Sequence, residues 1–210
     1  MNSTRVYAGQ DVAARRRERR ERFLQAGLEQ FGTAGYAATG VPSVCRAAGL
    51  SSRQFYQEFD SREDLLRALY DDLQDRAMTA VGEAVAGALE SGITDLEAVV
   101  ERGVRAFIGV FAADDRLVRL AFVEVVGVSP AFEAHRHQRR RRWAELLDGV
   151  VGSGAAQGVP VTAASRLQWI AYIGAVNAAV VERTHEADID VEDIVHTMRT
   201  LLRPGILGAP

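Results

Sequence analysis

"VPSVCRAAGLSSRQFYQEF", Val41 to Phe59, sets the reading of the whole chain. It is two short segments flanking Gly49, a residue suited to a tight turn. In the first, Val41, Val44 and Ala48 recur at helical spacing, and Pro42 falls in the opening turn, where a missing N–H is tolerated. In the second, Phe55 and Phe59 are four apart and share one helical face. Ser52, Arg53, Gln54 and Gln57 then point elsewhere, with the Tyr56 hydroxyl beside them. Hydrogen-bonding side chains have little reason to gather on one turn unless something polar is read there. The spacing is that of a helix-turn-helix, in which the first helix braces and the second meets base edges in a major groove roughly 12 Å wide. Arg53 suits guanine, and Gln54 or Gln57 suits adenine, because each can make two hydrogen bonds to one base edge. Tyr56 and Arg62 would hold phosphates, which orient without reading sequence. Since glycine between two short helices is common, the spacing alone also fits a plain amphipathic turn.

Outward from this stretch, helical periodicity runs almost throughout, and no alternating apolar and polar run bounded by hairpin turns stands out. A first helix is expected over Val12–Ala34, carrying Phe23, Leu24, Leu28 and Phe31 on one face, with Gly35 as its stop. Ser61 and Asp64 form a capping pair for a long helix through Leu65, Leu66, Leu69 and Leu73. Thr94 with Glu97, then Asp114, then Ser129-Pro130, mark later helix starts, and Asp190 with Asp193 cap the last helix before Pro204-Gly205. "GSGAAQGVP", Gly152 to Pro160, is the clearest loop. The fold class expected is all-α, about nine helices: a helix-turn-helix head over residues 1–60 with a basic arm, and a larger ligand-binding and dimerising body over residues 61–210.

The net charge of −3 conceals an asymmetry, since residues 1–57 hold nine Arg against four acids while the remainder is acidic. A basic head on an acidic body is what local attraction to phosphate would require. Every basic residue is Arg, which a coding bias toward Arg, Ala, Gly and Val accounts for. No apolar run approaches the roughly 20 residues that span a bilayer, the N-terminal segment has no secretory pattern, and one cysteine, Cys45, fits a reducing compartment. A cytoplasmic location with no membrane partner is therefore expected.

"RRRERRER", Arg15 to Arg22, is either a solvated helix with Arg17–Glu21 and Glu18–Arg22 pairs, or an arm whose Arg15, Arg16 and Arg17 track phosphates or a minor groove. "HRHQRRRRW", His135 to Trp143, covers every helical face with arginine, so some of these side chains are solvated and others lie along apolar neighbours. An anionic ligand at a pocket mouth, or extra DNA contact, are the alternatives. His135 and His137 diverge, no further ligands cluster near them, and no metal or cofactor is expected. Without lysine there is no phosphate-binding GxxxxGK loop, and neither GxSxG nor HExxH occurs, so no enzyme is indicated.

In the body, Phe107, Phe111, Phe122, Trp143, Trp169 and Tyr172 could line an apolar ligand pocket or form plain core. Glu124 and Asn177 interrupt strongly apolar runs and are candidate polar contacts to the ligand. The penultimate helix is apolar around most of its circumference, with small residues at Ala171, Gly174, Ala175 and Ala178. Either its own monomer encloses it, or it joins the last helix, through Ile194, Met198, Leu201 and Leu202, in a four-helix homodimer interface.

Residues 22–66 resemble the N-terminal domain of the TetR (tetracycline repressor) family of transcriptional regulators. The likeness rests on Ala26, Phe31, Gly35, Tyr36 and Thr39, on Val44, Ala47, Ala48, Gly49 and Ser51, and on Phe55, Tyr56, Phe59, Ser61 and Leu65. It implies base contacts from Ser52, Arg53, Gln54 and Gln57 and phosphate contacts from Tyr56 and Arg62, with Thr39 counted among the DNA-binding positions. Gly40, Val41 and Pro42 depart from the family pattern, and Glu58 is expected to turn from DNA or pair with an arginine. The resemblance implies a homodimeric repressor that releases a palindromic operator on double-stranded DNA when a small, largely apolar effector binds the body. The alternative is a helical protein that sequesters small molecules and associates with DNA only non-specifically.

Overall fold

The computed structural model describes residues 3–93, 95–156, 164–186 and 188–202, with side chains described from residue 12 except at 96 and 202. Among them there is no strand. The helices are α1 (Ser3–Thr33), α2 (Val41–Ala48), α3 (Ser52–Phe55), α4 (Arg62–Glu90), α5 (Leu96–Phe111), α6 (Asp115–Val118), α7 (Pro130–Ala156), α8 (Arg166–Glu182) and α9 (Val191–Leu202). None of the described helices is long and apolar enough to cross a membrane.

The head is built on aromatic packing. Phe23 of α1 meets Phe55 edge-on at 5.3 Å and Phe59 at 6.4 Å, and all three rings are buried with Phe31, Val44, Leu65 and Leu66. Gly49 ends α2 in the left-handed region, φ +62°, where its N–H donates to the Arg46 carbonyl and that of Leu50 to the Cys45 carbonyl. Two residues later Ser51 opens α3 with a capping box, accepting from the Gln54 N–H while the Gln54 amide oxygen accepts from the Ser51 N–H. After Phe55 the chain tightens, with the N–H groups of Glu58 and Phe59 both donating to the Phe55 carbonyl at 2.9 Å.

Ser61 accepts from the Asp64 N–H and starts α4, whose first turns belong to the head and whose remainder belongs to the body. At the seam Gly27 lets α1 approach α4, since a Cβ there would stand 3.0 Å from Leu65 Cδ2 and Leu69 Cδ1. α7 runs parallel to α4, because His135 faces Asp71 and, four residues on in both helices, Arg139 faces Asp75. α5, α8 and α9 complete the body around Val99, Ile108, Val176, Val180, Ile194 and Met198.

Some boundaries differ from the expectations. α1 begins at Ser3 rather than Val12, because residues 3–11 offer too few large apolar side chains for periodicity to register. Asp95 caps α5, accepting from the Glu97 N–H, while Thr94 lies outside the described residues. Residues 152–156 of the anticipated loop continue α7, and 157–163 and Pro204-Gly205 lie outside the described residues. Asp114 caps α6, and Asp190 and Asp193 cap α9 by exchanging backbone bonds at 2.9 Å. Past α6 the backbone widens into a π turn at 119–123, with the Glu124 N–H donating to the Arg119 carbonyl five residues back.

Candidate nucleic-acid interface and ligand cavity

The outward side of α3 and of the turn that follows it carries Ser52, Arg53, Tyr56 and Gln57, all exposed, over the buried Phe55 and Phe59. Tyr56 is 58% exposed, yet its ring rests against Phe55 at 5.4 Å, which fixes the hydroxyl's direction. Gln54 is half-buried, and its amide oxygen is engaged by the Ser51 N–H at 2.9 Å and hydroxyl at 3.0 Å. Two-bond recognition of adenine needs both ends of an amide, so Gln57 meets that requirement without breaking a helix cap and Gln54 does not.

Two expected contacts are corrected. Thr39 is only 1% exposed, and its hydroxyl donates at 2.7 Å to the Gly35 carbonyl, so the side chain braces the exit of α1 rather than facing DNA. Arg62 Nη1 donates to the carbonyls of Tyr36 and Thr39 at 2.9 and 2.5 Å, and its guanidinium stacks 4.0 Å over the Tyr36 ring. It ties the α1–α2 connection to the start of α4, adding to the Tyr36 carbonyl, which also accepts from the Thr39 N–H at 3.2 Å.

The arginine run of α1 is a clasp on the back of the recognition turn. Arg16 and Arg19 pair with the two Glu58 carboxylate oxygens at 3.1 and 2.9 Å, Arg20 donates to the Glu58 carbonyl at 3.1 Å and lies 4.4 Å over Phe59, and Arg22 donates to the Ala48 carbonyl at 2.6 Å. Arg15 and Arg17 are exposed on this helix. The sequential pairs Arg17–Glu21 and Glu18–Arg22 are not formed among the described residues, because Arg22 reaches α2 instead. Burial pushes the Glu58 carboxyl up, but hydrogen bonds from Arg19 and Arg16 outweigh it and hold the group below its ordinary value.

A second cluster joins head and body. The Glu124 carboxylate accepts from the Tyr36 N–H at 2.7 Å and from Arg119 Nε at 2.9 Å, and Arg119 Nη1 donates to the Thr33 carbonyl at 2.6 Å. Arg116, held by Asp114, also pairs with Glu29 of α1. Glu124 was expected in the ligand pocket; the π turn swings it instead toward the end of α1. Arg119 carried no sequence signal for this role.

The body encloses a cavity of about 150 Å³ bounded by α4, α5, α7, α8 and the π turn. Phe107, Phe122, Trp143, Trp169, Tyr172 and Asn177 line it as expected. Phe111 does not; it is 1% exposed and packs behind the wall against Phe107 and Phe122 at 5.2 and 5.0 Å. Trp143 Nε1 donates to Gln74 Oε1 at 2.7 Å, satisfying both groups. Trp169 Nε1 and the Tyr172 hydroxyl are buried with no partner, and burial pushes the Tyr172 phenol well up. Sequence reasoning missed Gln74 as a lining residue, whereas Arg136 and Arg140 belong to the His135–Trp143 stretch for which an anionic ligand at a pocket mouth was one alternative. Within the arginine run, Arg139 is buried against Asp71 and Asp75, Arg140 reaches the cavity, and Arg141 and Arg142 are exposed. Among the described residues no His, Cys, Asp and Glu group could hold a metal ion.

On α8, Leu167, Ala171, Gly174 and Ala178 are exposed and Ala175 is half-buried. Ile194 and Met198, expected at a dimer interface, are each 2% exposed inside the monomer, because α9 turns its apolar face onto α5 and α8. Leu201 is exposed, and the Leu202 side chain lies outside the described residues.

An aromatic-braced helix-turn-helix on a cavity-bearing helical body defines a class of regulatory protein. Residues 23–69 match the family described as bacterial regulatory proteins, tetR family. The chain is 28% identical over 143 residues to the HTH-type transcriptional regulator EthR of Mycolicibacterium smegmatis, a match that covers 68% of this chain and, at 64%, less than two thirds of that relative. In fold it is similar to the fatty acid degradation regulator FadR of Bacillus halodurans, with TM-score 0.75 and 19% identity over 88% of this chain and 94% of that one. It is also similar to FadR of Bacillus subtilis in complex with stearoyl-CoA, with TM-score 0.74 and 16% identity over 87% and 96% of the two chains.

Proposed function

We propose that the chain is a homodimeric, ligand-responsive repressor that reads a palindromic operator with residues 1–60 and binds a small, largely apolar effector with residues 61–210. The observation that carries this reading is the rigid presentation of Ser52, Arg53, Tyr56 and Gln57 on an exposed turn backed by buried phenylalanines. Arg53 and Gln57 read bases, Tyr56 holds phosphate, and Ser52 serves either role; Arg17 and Arg15 lie on the same basic helix and add phosphate contacts. Two copies associate through the exposed small-residue face of α8, with Leu167 and Leu201 at its margins. FadR of Bacillus subtilis, bound to stearoyl-CoA, supports an effector with a long apolar part. The cytoplasm, where the operator is, is the compartment this function requires.

Release follows from what the cavity touches. Phe122 lines the cavity, and Glu124, two residues on, anchors the end of α1. An effector that displaces the π turn therefore shifts the head. Two heads can occupy successive major grooves only near one helical turn apart, about 34–36 Å, so a modest shift suffices. Driving the dimer from about 1:99 to 99:1 requires ~5.5 kcal/mol of differential affinity between the two shapes.

The test is selection of bound duplexes from a random DNA pool by the purified protein. Recovery of a palindromic consensus whose binding survives excess unrelated DNA supports the reading. Equal retention of all sequences overturns it in favour of a sequestering protein with non-specific DNA association.

A further inference from the structure

The cavity wall is polarised in a way that an apolar effector alone leaves without purpose. Among the described residues lining it there is no Asp or Glu, yet Arg136 and Arg140 both reach it. Arg136 is neutralised by Glu133 at 2.8 and 3.0 Å. Arg140 forms no ion pair among the described residues: its charge acts on the same Glu133 carboxylate that Arg136 already holds, and its one hydrogen-bond partner is His137 Nδ1 at 3.3 Å. Inside, Trp169 Nε1 and the Tyr172 hydroxyl are buried without acceptors, and an unmet buried donor costs about 1–3 kcal/mol. The wall thus has donors and a cation in surplus and acceptors in deficit.

The shape is also informative. The lining runs along α4 from Tyr70 to Val85 and along the parallel α7 from Arg136 to Val151, fifteen residue steps in each case. At 1.5 Å per residue that is roughly 22 Å of wall, while the volume of this partly open cavity is only about 150 Å³. A long, narrow space fits a slim chain better than a fused-ring body. Arg136, Tyr70 and Gln74 stand toward one end and Val81, Val85, Val150 and Val151 toward the other, so the cation-bearing end is also the polar end.

Resting on the proposal that this cavity takes the effector, we infer that the effector is a slim aliphatic molecule ending in an anionic group, carboxylate or phosphate, received by Arg140. The apolar chain lies along the valines, and acceptor oxygens on the ligand meet the unpaired donors of Trp169 and Tyr172.

The chain's two tryptophans, Trp143 and Trp169, both line the cavity, so intrinsic fluorescence of the full chain reports its occupancy directly. Octanoate, octyl phosphate and 1-octanol are titrated below their micellar concentrations. A charge-assisted hydrogen bond predicts that at least one of the two anions binds roughly ten- to a hundredfold tighter than the alcohol, and the tighter one identifies the head group. Arg140→Gln should bring that anion to the alcohol's affinity while leaving the alcohol unchanged, and Arg140→Lys should keep part of the preference. Alcohol binding as tightly as both anions, or an undiminished preference in Arg140→Gln, overturns the inference but not the cavity's role. Absence of quenching by all three overturns both.

Discussion

The head and the body treat their buried polar groups in opposite ways. In the head nearly all are matched: Thr39 to Gly35, Glu58 to Arg16 and Arg19, Arg22 to Ala48, and the Ser51–Gln54 cap to itself, leaving Arg19 Nε, on a guanidinium that already pairs with Glu58, as the exception. In the body, Trp169 Nε1 and the Tyr172 hydroxyl, on two residues that line the cavity, are buried with nothing to bond. A ring-packed unit with nearly all its polar groups matched resists deformation, and that suits a surface which must present side chains in fixed register. A core with a void and unmet donors has a second state available, the filled one. The junction at Glu124 is where the two regimes meet.

The most severe way to break the contrast is to remove the head's central ring. Phe55 is fully buried and touches Phe23, Tyr56 and Phe59, so Phe55→Ala should cost about 3–5 kcal/mol of head stability. DNA binding in a gel shift should disappear, while ligand-dependent tryptophan quenching from the body persists. Loss of both together would show that head and body are one cooperative unit. Cutting the junction should be next in size. Glu124→Ala removes the acceptor for the Tyr36 N–H and Arg119, each a charge-assisted bond, for a loss of roughly 2–3 kcal/mol. Its signature should be unchanged ligand affinity with ligand no longer lowering DNA affinity, measured by titrating the complex with effector.

Substitutions on the reading surface should be smaller and should divide by role. Arg53→Ala should lose about 1–3 kcal/mol at one base position and relax the consensus there, whereas Tyr56→Phe should weaken all sequences alike. Binding to a panel of single-base variants separates these outcomes, and identical profiles for the two proteins would defeat the assignment of roles.

How much of this was legible beforehand follows from the same contrast. The two short helices and the turn between them are legible from Val41 to Phe55 because their determinants are local: a glycine, a capping serine and buried apolar residues at helical spacing act within a turn or two, although the same cap claims Gln54, which was expected at base edges. Side chains whose partners come from another helix could not be read. Thr39 and Arg62 look exposed in a linear pattern and are claimed by the carbonyls at the exit of α1. Glu124 interrupts an apolar run, which signals an interaction but not its direction, and direction was set by a π turn that no periodicity announces. Ile194 and Met198 show the limit again, since an apolar stripe indicates burial without saying whether the cover is the same chain or another.

The gentlest test concerns Glu58, the acid that stands behind the DNA-reading turn. Its carboxylate side chain is fully enclosed between Arg16 and Arg19, and its folded-state acidity is displaced below the ordinary 4.5. A group with a lowered folded value stabilises the fold above its unfolded value, and that contribution fades as pH drops through the folded one. Glu58→Gln keeps the shape and removes the charge, so it should cost roughly 1–2 kcal/mol at neutral pH. The difference between the two proteins should be flat from pH 7 to about 5 and should shrink as the solution is acidified below 4.5, where the carboxyl of the unfolded chain takes up its proton before that of the folded one does. Urea melts across that range read it directly. A gap that persists undiminished at pH 3 would mean that Glu58 acts by packing, and the arginines of α1 would then be free to serve DNA rather than the fold.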